Sequence, residues 1–265
     1  MVKQIFSDLD GTLYNDGVIS EEDKEAIAEI VSRGATFNVA TGRIFPQAHE
    51  IVKGAVDVGG YYICENGALI YDKDSNLVYR GTIDDDLVKK VISSFKSDKA
   101  DLFFKYKGNA VVLGEDTNFK LLSNDYVVEP DFLERDGYDN MIGNIGVASG
   151  SPEELDRVAA HFAKEFGDEL EIFLSSEYTL NIAKRGVSKK NAIEKVCGIL
   201  GVGLDEVATF GDSQNDVSML EGFANSFAME KATDEVKKSA SWTVSSVADG
   251  IEILNKSDSN LAVNN

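Results

Sequence analysis

Cysteine is nearly absent. The chain carries two in 265 residues, Cys64 and Cys197. They lie far apart in sequence and form no motif, so they read as reduced, buried thiols and exclude a disulfide framework. Histidine is as scarce: His49 and His161 are the only two. Both sit in charged or mixed helical stretches and read as surface or packing residues, which argues against chemistry built on clustered histidines. No apolar run approaches the ~20 residues that span a bilayer. The start, Met1-Val2-Lys3-Gln4-Ile5-Phe6, enters a strand-like run at once and lacks the hydrophobic region and cleavage site of a signal peptide, so the expected location is the cytoplasm. Positive charge is short too. Lys and Arg number 26 against 46 Asp and Glu, a formal net charge of −20. That argues against nucleic acid and anionic membranes as partners, because both select basic faces. It also constrains any anionic substrate: a metal or a local lysine must reverse the field inside its site.

What is present is an ordinary globular composition, 43% hydrophobic and 27% charged, in a length that suits one large domain or two modest ones. The first part alternates strand and helix. An apolar run over Val2 to Phe6 leads to Asp8-Leu9-Asp10-Gly11-Thr12. A helix follows from about Ser20 to Arg33, with Ser20 as N-cap, acidic residues in the first turn and Gly34 after it. Ala35 to Ala40 reads as a buried strand stopped by Thr41-Gly42-Arg43, a helix then runs to about Lys53, and Tyr61 to Cys64 is a third strand. Ala68 to Tyr71 and Leu77 to Tyr79 form a hairpin pattern across Asp74-Ser75-Asn76. The alternation resumes late: helix Ser188 to Leu200 closed by Gly201, strand Glu206 to Phe210, then short strands Ser226 to Met229 and Trp242 to Val244, each trailed by a helix. Alternation of this kind predicts a parallel α/β sheet with right-handed crossovers.

The middle differs. From about Asp84 to Lys184 the order is helix, two strands, a short helix, a strand, a helix and two strands. Asp84 to Ser97 and Pro152 to Phe166 are its main helices. Leu102 to Tyr106 pairs with Ala110 to Leu113, and Leu170 to Leu174 with Thr179 to Ala183. Consecutive hairpins predict an antiparallel sheet with helices on one face. The expected organisation is therefore a Rossmann-like α/β core over 1–82 and 185–256, an inserted α+β domain over 83–184, and a frayed polar tail over 257–265.

Three strand ends carry the candidate chemistry. Asp8 and Asp10 are two apart, so their side chains face the same way just beyond the carboxyl edge of a parallel sheet, where open α/β folds bind ligands. Carboxylates that close need a shared proton or a metal; alone, the pair reads equally as a solvated acidic turn. Asp212 and Asp216 repeat the arrangement in Gly211-Asp212-Ser213-Gln214-Asn215-Asp216. Hard oxygen donors there suit Mg²⁺, although Asp216 by itself also fits an acidic helix N-terminus. Asn215 can donate to a ligand or fix a loop. Thr41-Gly42-Arg43 offers a hydroxyl and amides to a phosphate, or is simply a tight turn. Lys189 and Lys190 open a helix, where cations oppose the macrodipole. That broken rule hints at function, since a lysine and a helix N-terminus aimed at one anion would both be satisfied; the alternative is a pair of lysines swung into solvent.

Together these elements resemble the haloacid dehalogenase-like (HAD) hydrolase superfamily. Asp8-Leu9-Asp10-Gly11-Thr12 is similar to its first motif, Thr41-Gly42-Arg43 to its second, Lys189 to its third and Gly211 to Asp216 to its fourth. The insertion resembles a type IIB cap, and Glu65-Asn66-Gly67-Ala68 with Gly186-Val187-Ser188-Lys189 resembles the Cof-type subfamily. Lys190 departs from the pattern, where many relatives carry Gly. The resemblance implies a phosphatase in which Asp8 attacks phosphorus and becomes an aspartyl-phosphate, while Asp10 acts as general acid and then general base. It implies Mg²⁺ held by Asp8, the Asp10 carbonyl and Asp212, with Asp216 acting through water. Thr41, Gly42, Arg43, Lys189 and Asn215 are the expected substrate-binding residues. The expected partner is a small phosphorylated metabolite, a sugar phosphate above all, with the inserted domain as a lid that excludes water. A monomer or weak dimer is expected. A phosphomutase must hold a second phosphate, for which arginine is best suited, and the insertion's candidates are Arg135 and Arg157. A catalytically silent regulator is the other alternative, and intact acidic residues argue against it.

Overall fold

A computed structural model describes residues 1–263. The chain divides into two compact units, residues 1–78 with the chain from Ser188 onward, and Tyr79–Val187. The junctions therefore fall slightly outside the expected 83–184.

The first unit is built on one eight-stranded sheet. From edge to edge it runs Trp242–Val244, Asn225–Met229, Val207–Gly211, Gln4–Ser7, Thr36–Ala40, Tyr62–Cys64, Leu69–Tyr71 and Leu77–Arg80. The first six are parallel, and Leu69–Tyr71 turns back antiparallel. Gln4–Ser7 is buried along its whole length, as a strand covered by helices on both faces must be. Its position in the middle follows from its content: Ile5 and Phe6 point to opposite faces, and both are fully buried. Register then aligns the strand tips. Ser7 is level with Phe210 on one side and Val39 on the other, and Asp8 N donates to Phe210 O at 3.0 Å. Asp8, Thr41 and Asp212 thus leave the sheet at the same edge.

Helix Glu21–Ser32 starts where its cap predicts, with Asp23 N donating to Ser20 Oγ at 3.1 Å. Its buried stripe includes Ile27 and Ile30, which join Ile251 and Leu254 of helix Val247–Val263 in one core. Asp23 links the two helices. Its Oδ2 accepts from Ser20 Oγ at 2.7 Å and its Oδ1 from Ala248 N at 2.8 Å. The expected frayed tail meets a helix that continues to Val263, and residues 264 and 265 lie outside the described residues.

The second unit has a six-stranded sheet: Leu170–Ser176, Thr179–Lys184, Ile142–Ala148, Asp101–Tyr106, Asn109–Val112 and Val127–Val128. Both expected hairpins are present. One pair departs from the antiparallel expectation: Val127–Val128 runs parallel to Val111–Val112. The helices, Asp85–Ser94 and Pro152–Phe166, cover one face. Leu87, Val91, Leu155 and Phe162 pack there with Phe104, Ile145 and Leu180. The first helix ends three residues earlier than the expected Ser97, because Phe95 is extended.

Asp23→Ala would leave Ala248 N–H and Ser20 without their acceptor in a buried position. The expected loss is about 1–3 kcal/mol of stability, read as a lower urea midpoint. A shift worth less than about 0.5 kcal/mol, the scatter of an ordinary surface change, would show that this link is not needed.

Candidate active site

Lys189 opens helix Lys189–Leu200, whose cap is Ser188 Oγ accepting from Asn191 N. Its side chain is fully buried, and its ammonium donates to Asp8 Oδ1 at 2.7 Å and Asp216 Oδ1 at 2.6 Å. This resolves the broken dipole rule: two buried carboxylates outweigh the unfavourable helix end. Burial alone would lower the ammonium's pKa, but Asp216 and Asp8 outweigh it and hold Lys189 above the ordinary lysine range. Burial also pushes the Asp8 carboxyl well above the usual carboxylate range; Lys189 opposes this, while Asp216 and Asp212 add to it.

The third carboxylate arrives by a tight approach. Gly11 lies so close to Asp212 that a Cβ there would stand 2.2 Å from Asp212 Oδ2, and Gly11 has a positive φ of 85°. Only glycine meets both demands. Thr12 Oγ1 donates to Asp212 Oδ1 at 3.0 Å. Asp216 spends its other oxygen on its own loop, accepting from Asp212 N at 2.9 Å and Ser213 N at 3.0 Å. Burial, then Asp216, raise the Asp212 pKa. Oxygens of Asp8, Asp212 and Asp216 all lie within 4.8 Å of one another. A hard divalent cation that takes oxygen ligands fits this donor set, and Mg²⁺ is such an ion. Asp10 stands apart from these three acids.

The Thr41 turn faces the same edge. Arg43 N donates to Thr41 Oγ1 at 3.2 Å, and Asn66 N donates to Thr41 O at 3.0 Å. The Arg43 guanidinium, expected on a phosphate, instead forks onto Asp10: Nε reaches Oδ2 at 2.7 Å and Nη2 reaches Oδ1 at 2.6 Å. Asn215, expected on substrate, is used at both ends within the protein. Its Nδ2 donates to Asn66 Oδ1 at 2.9 Å, and its Oδ1 accepts from Ser213 Oγ at 2.7 Å. These two bonds tie the Asn215 loop to the turn that carries Asn66. Gly42 keeps that loop close, since a Cβ there would lie 3.1 Å from Asn66 Oδ1. Thr12, Asn66 and Ser213 join the site without a role read from the residues alone. Thr12 lies inside the first motif, and a hydroxyl two residues past Asp10 was the signal available for it.

Elsewhere the structure separates the paired residues. Lys190 is half-exposed and faces Glu194 at 3.7 Å. Both arginines weighed for a second phosphate are committed within their own unit. Arg157 is forked onto Glu154 and reaches Lys96 O, and Arg135 pairs with Glu129 and lies over Tyr106 and Phe132. Cys64 and Cys197 are both buried and neither is part of a disulfide. No helix among the described residues is long and apolar enough to cross a membrane.

A family model for haloacid dehalogenase-like hydrolases matches residues 5–252, and the chain belongs to that family, in its Cof-type branch. It is a phosphatase of that family. Among curated proteins it is 29% identical over 254 residues to the 5-amino-6-(5-phospho-D-ribitylamino)uracil phosphatase YcsE of Bacillus subtilis, covering 94% of this chain and 93% of the relative. A crystal structure from Thermotoga maritima aligns with a TM-score of 0.82 at 25% identity, over 95% of this chain and 97% of that one. A structure described as a HAD subclass IIB sugar phosphatase aligns with a TM-score of 0.78 at 21% identity, over 96% and 99% of the two chains, and so shares the fold.

Lys189→Ala and Lys190→Ala should therefore differ. Loss of Lys189 leaves Asp8 and Asp216 facing each other across a buried gap, and phosphatase turnover should fall ~10²–10³-fold, the scale of one preorganised donor. Lys190→Ala should stay close to wild type, with a stability change within ~0.5 kcal/mol. Turnover and melting curves of both variants decide it. Equal losses, or the reverse order, would place the third motif on the wrong lysine.

Proposed function

We propose that the protein hydrolyses small phosphorylated metabolites, sugar phosphates foremost, through an aspartyl-phosphate on Asp8 with Mg²⁺ as cofactor. One observation carries this reading: a buried lysine and three clustered carboxylates meet at the carboxyl edge of the central strands. Such a set has no structural purpose that an apolar core would not serve at lower cost in desolvation. It suits a dianion and a divalent cation together.

Lys189 holds Asp8 Oδ1 and so orients the carboxylate for attack on phosphorus. As the Asp8 O–P bond forms, the bond to the leaving oxygen breaks and its electron pair goes to that oxygen, which takes a proton from Asp10. Asp10 then removes a proton from the water that attacks the aspartyl-phosphate, releasing phosphate and restoring Asp8. Thr41, Lys189 and the amides around Gly42 bind phosphoryl oxygens and offset their charge. Asp8 and Asp212, with the Asp10 carbonyl, would hold Mg²⁺, and Asp216 would act through water. When bound, the ion supplies positive charge that counters the clustered carboxylates and the phosphate. The substrate class draws on what the relatives are named for. A phosphoribitylaminouracil phosphatase and a sugar phosphatase are both named for phosphate esters of small polyhydroxylated compounds. The cytoplasm, with no nucleic acid or membrane partner, remains the location in keeping with the −20 charge.

EDTA should abolish turnover and Mg²⁺ should restore it. The pH dependence has a defined sign. Because the Asp8 pKa is raised by burial, the metal-free folded protein keeps a proton there that the unfolded chain releases near pH ~3.9. Stability of the metal-free form should fall as pH rises through the window between those two values. Mg²⁺ competes with that proton, so its stabilising effect in thermal melts should be larger at about pH 7.5 than at about pH 5. Full activity after demetallation, or a Mg²⁺ shift that shrinks with pH, would rule out the proposed cation site.

Asp8→Asn and Asp10→Asn should fail differently. The first removes the nucleophile. The second keeps the site but loses acid–base catalysis, a reduction of ~10²–10⁴-fold. In acid-quenched single turnovers, the wild type should carry a hydroxylamine-sensitive acyl phosphate that Asp8→Asn lacks. Turnover with no trapped acyl phosphate would instead indicate direct attack by water.

A further inference from the structure

The guanidinium of the second motif's arginine is taken up by a carboxylate. Its Nε and Nη2 grip both oxygens of Asp10 side-on, at 2.7 and 2.6 Å. We propose that Arg43 is a positioning residue for Asp10, acting through the proton donor rather than on the phosphoryl group. This rests on the reading of Asp10 as general acid and base.

Three pieces of chain hold the fork in place. Arg43 N is bonded to Thr41 Oγ1, and Arg43 O accepts from Glu65 N at 3.0 Å. Glu65 and Asn66 both have positive φ, 53° and 58°, which folds this support tightly against the Thr41 turn. On the other side, the guanidinium carbon lies 5.9 Å from the centre of the Tyr14 ring. Tyr14 is itself fixed beside Asp10: Tyr14 N donates to Leu9 O at 2.7 Å, and Gly11 N donates to Tyr14 O at 3.1 Å.

Asp10 needs such a support. Its side chain is 51% exposed, and among the described residues no other hydrogen bond reaches its carboxylate. Without Arg43 its orientation would be left to solvent. A half-exposed ion pair contributes only ~0–1 kcal/mol to stability, so holding the fold does not account for the arrangement. A planar two-point grip does set the plane of a carboxylate, which a lysine's point charge cannot. When Asp10 gives its proton to the leaving oxygen, the Asp10 O–H bond breaks and a carboxylate remains. The fork is already placed to bind that carboxylate and keep it aimed for the water that follows.

A leaving-group series tests this. The measured quantity is kcat/KM, which reports steps up to formation of the aspartyl-phosphate, for p-nitrophenyl phosphate, phenyl phosphate and an alkyl phosphate. p-Nitrophenolate departs without a proton and an alkoxide does not. Arg43→Ala should lose ~10–10²-fold on the alkyl phosphate, part of the general-acid contribution, and less than ~3-fold on p-nitrophenyl phosphate. Asp10→Asn should show the same trend more strongly. The double variant should be no worse than Asp10→Asn alone, as expected when two residues act as a unit. Arg43→Lys should recover part of the alkyl phosphate loss, and it also serves if the alanine variant melts early. A uniform loss on all three substrates with raised KM would overturn the proposal and make Arg43 a phosphate ligand. No loss on any would reduce the fork to a surface ion pair. If Asp10→Asn itself shows no leaving-group trend, the reading of Asp10 fails first and the proposal falls with it. A trend in Asp10→Asn without one in Arg43→Ala sinks the proposal alone.

Discussion

A single ammonium, fully out of water between two carboxylates, is the contact on which the rest of this unit depends. Lys189 is covalently part of a helix start, Asp8 follows the central strand, and Asp216 follows the neighbouring one. Their ion pairs therefore join three elements at the sheet's carboxyl edge. Burying such a pair is costly, and removing one member costs more, about 3–5 kcal/mol, because the remaining charge is stranded. In a chain with net charge −20, this ammonium offsets only part of the charge of the three clustered acids. Fold and chemistry thus share one contact.

That contact dictates much of its surroundings. With Lys189 saturating one oxygen of Asp216, the other can satisfy the amides of Asp212 and Ser213, which shapes the loop that presents Asp212. Asp212 must then approach the first loop, and Gly11 is the residue that allows it. Gly211 plays the same part for Asp216, where a Cβ would stand 2.5 Å from the Asp216 Cβ. Burial raises the pKa values of Asp8 and Asp212, and the neighbouring carboxylates add to that rise, which is why the arrangement calls for a cation.

The site was largely legible in the sequence because its acids end core strands, and core strands are marked by apolar runs bounded by turn residues. The helix at Ser20 and the one closed by Gly201 were legible from their caps, and Gly201 has the left-handed conformation that such a position requires. What stayed hidden depends on contacts between distant loops. Nothing local shows that Asn215 reaches Asn66, or that Arg43 turns back to Asp10. Each needs the three-dimensional course of two turns. In the second unit, strand Ile142–Ala148 was foreseen only as a strand without bounds. Its Gly143 and Gly146 break the apolar alternation, and the reason for Gly146 is visible only in the fold: a Cβ there would strike the Phe103 ring at 1.9 Å. The parallel pairing of Val127–Val128 was equally invisible, since two residues carry no period.

The order of strands in the first sheet has a consequence for how the protein comes into being. Gln4–Ser7 is made well before one of its two flanking partners, Val207–Gly211. The strand that leads to Asp8 must wait, half-paired, while some two hundred residues are translated, and Asp8 meets its lysine only after the whole insertion has been made. At ~5–20 residues per second that interval lasts on the order of ten seconds or more. During it the nascent chain presents an apolar, unfinished sheet edge to the cell. Over the same interval Asp8 lacks the ammonium that pairs with it in the finished fold.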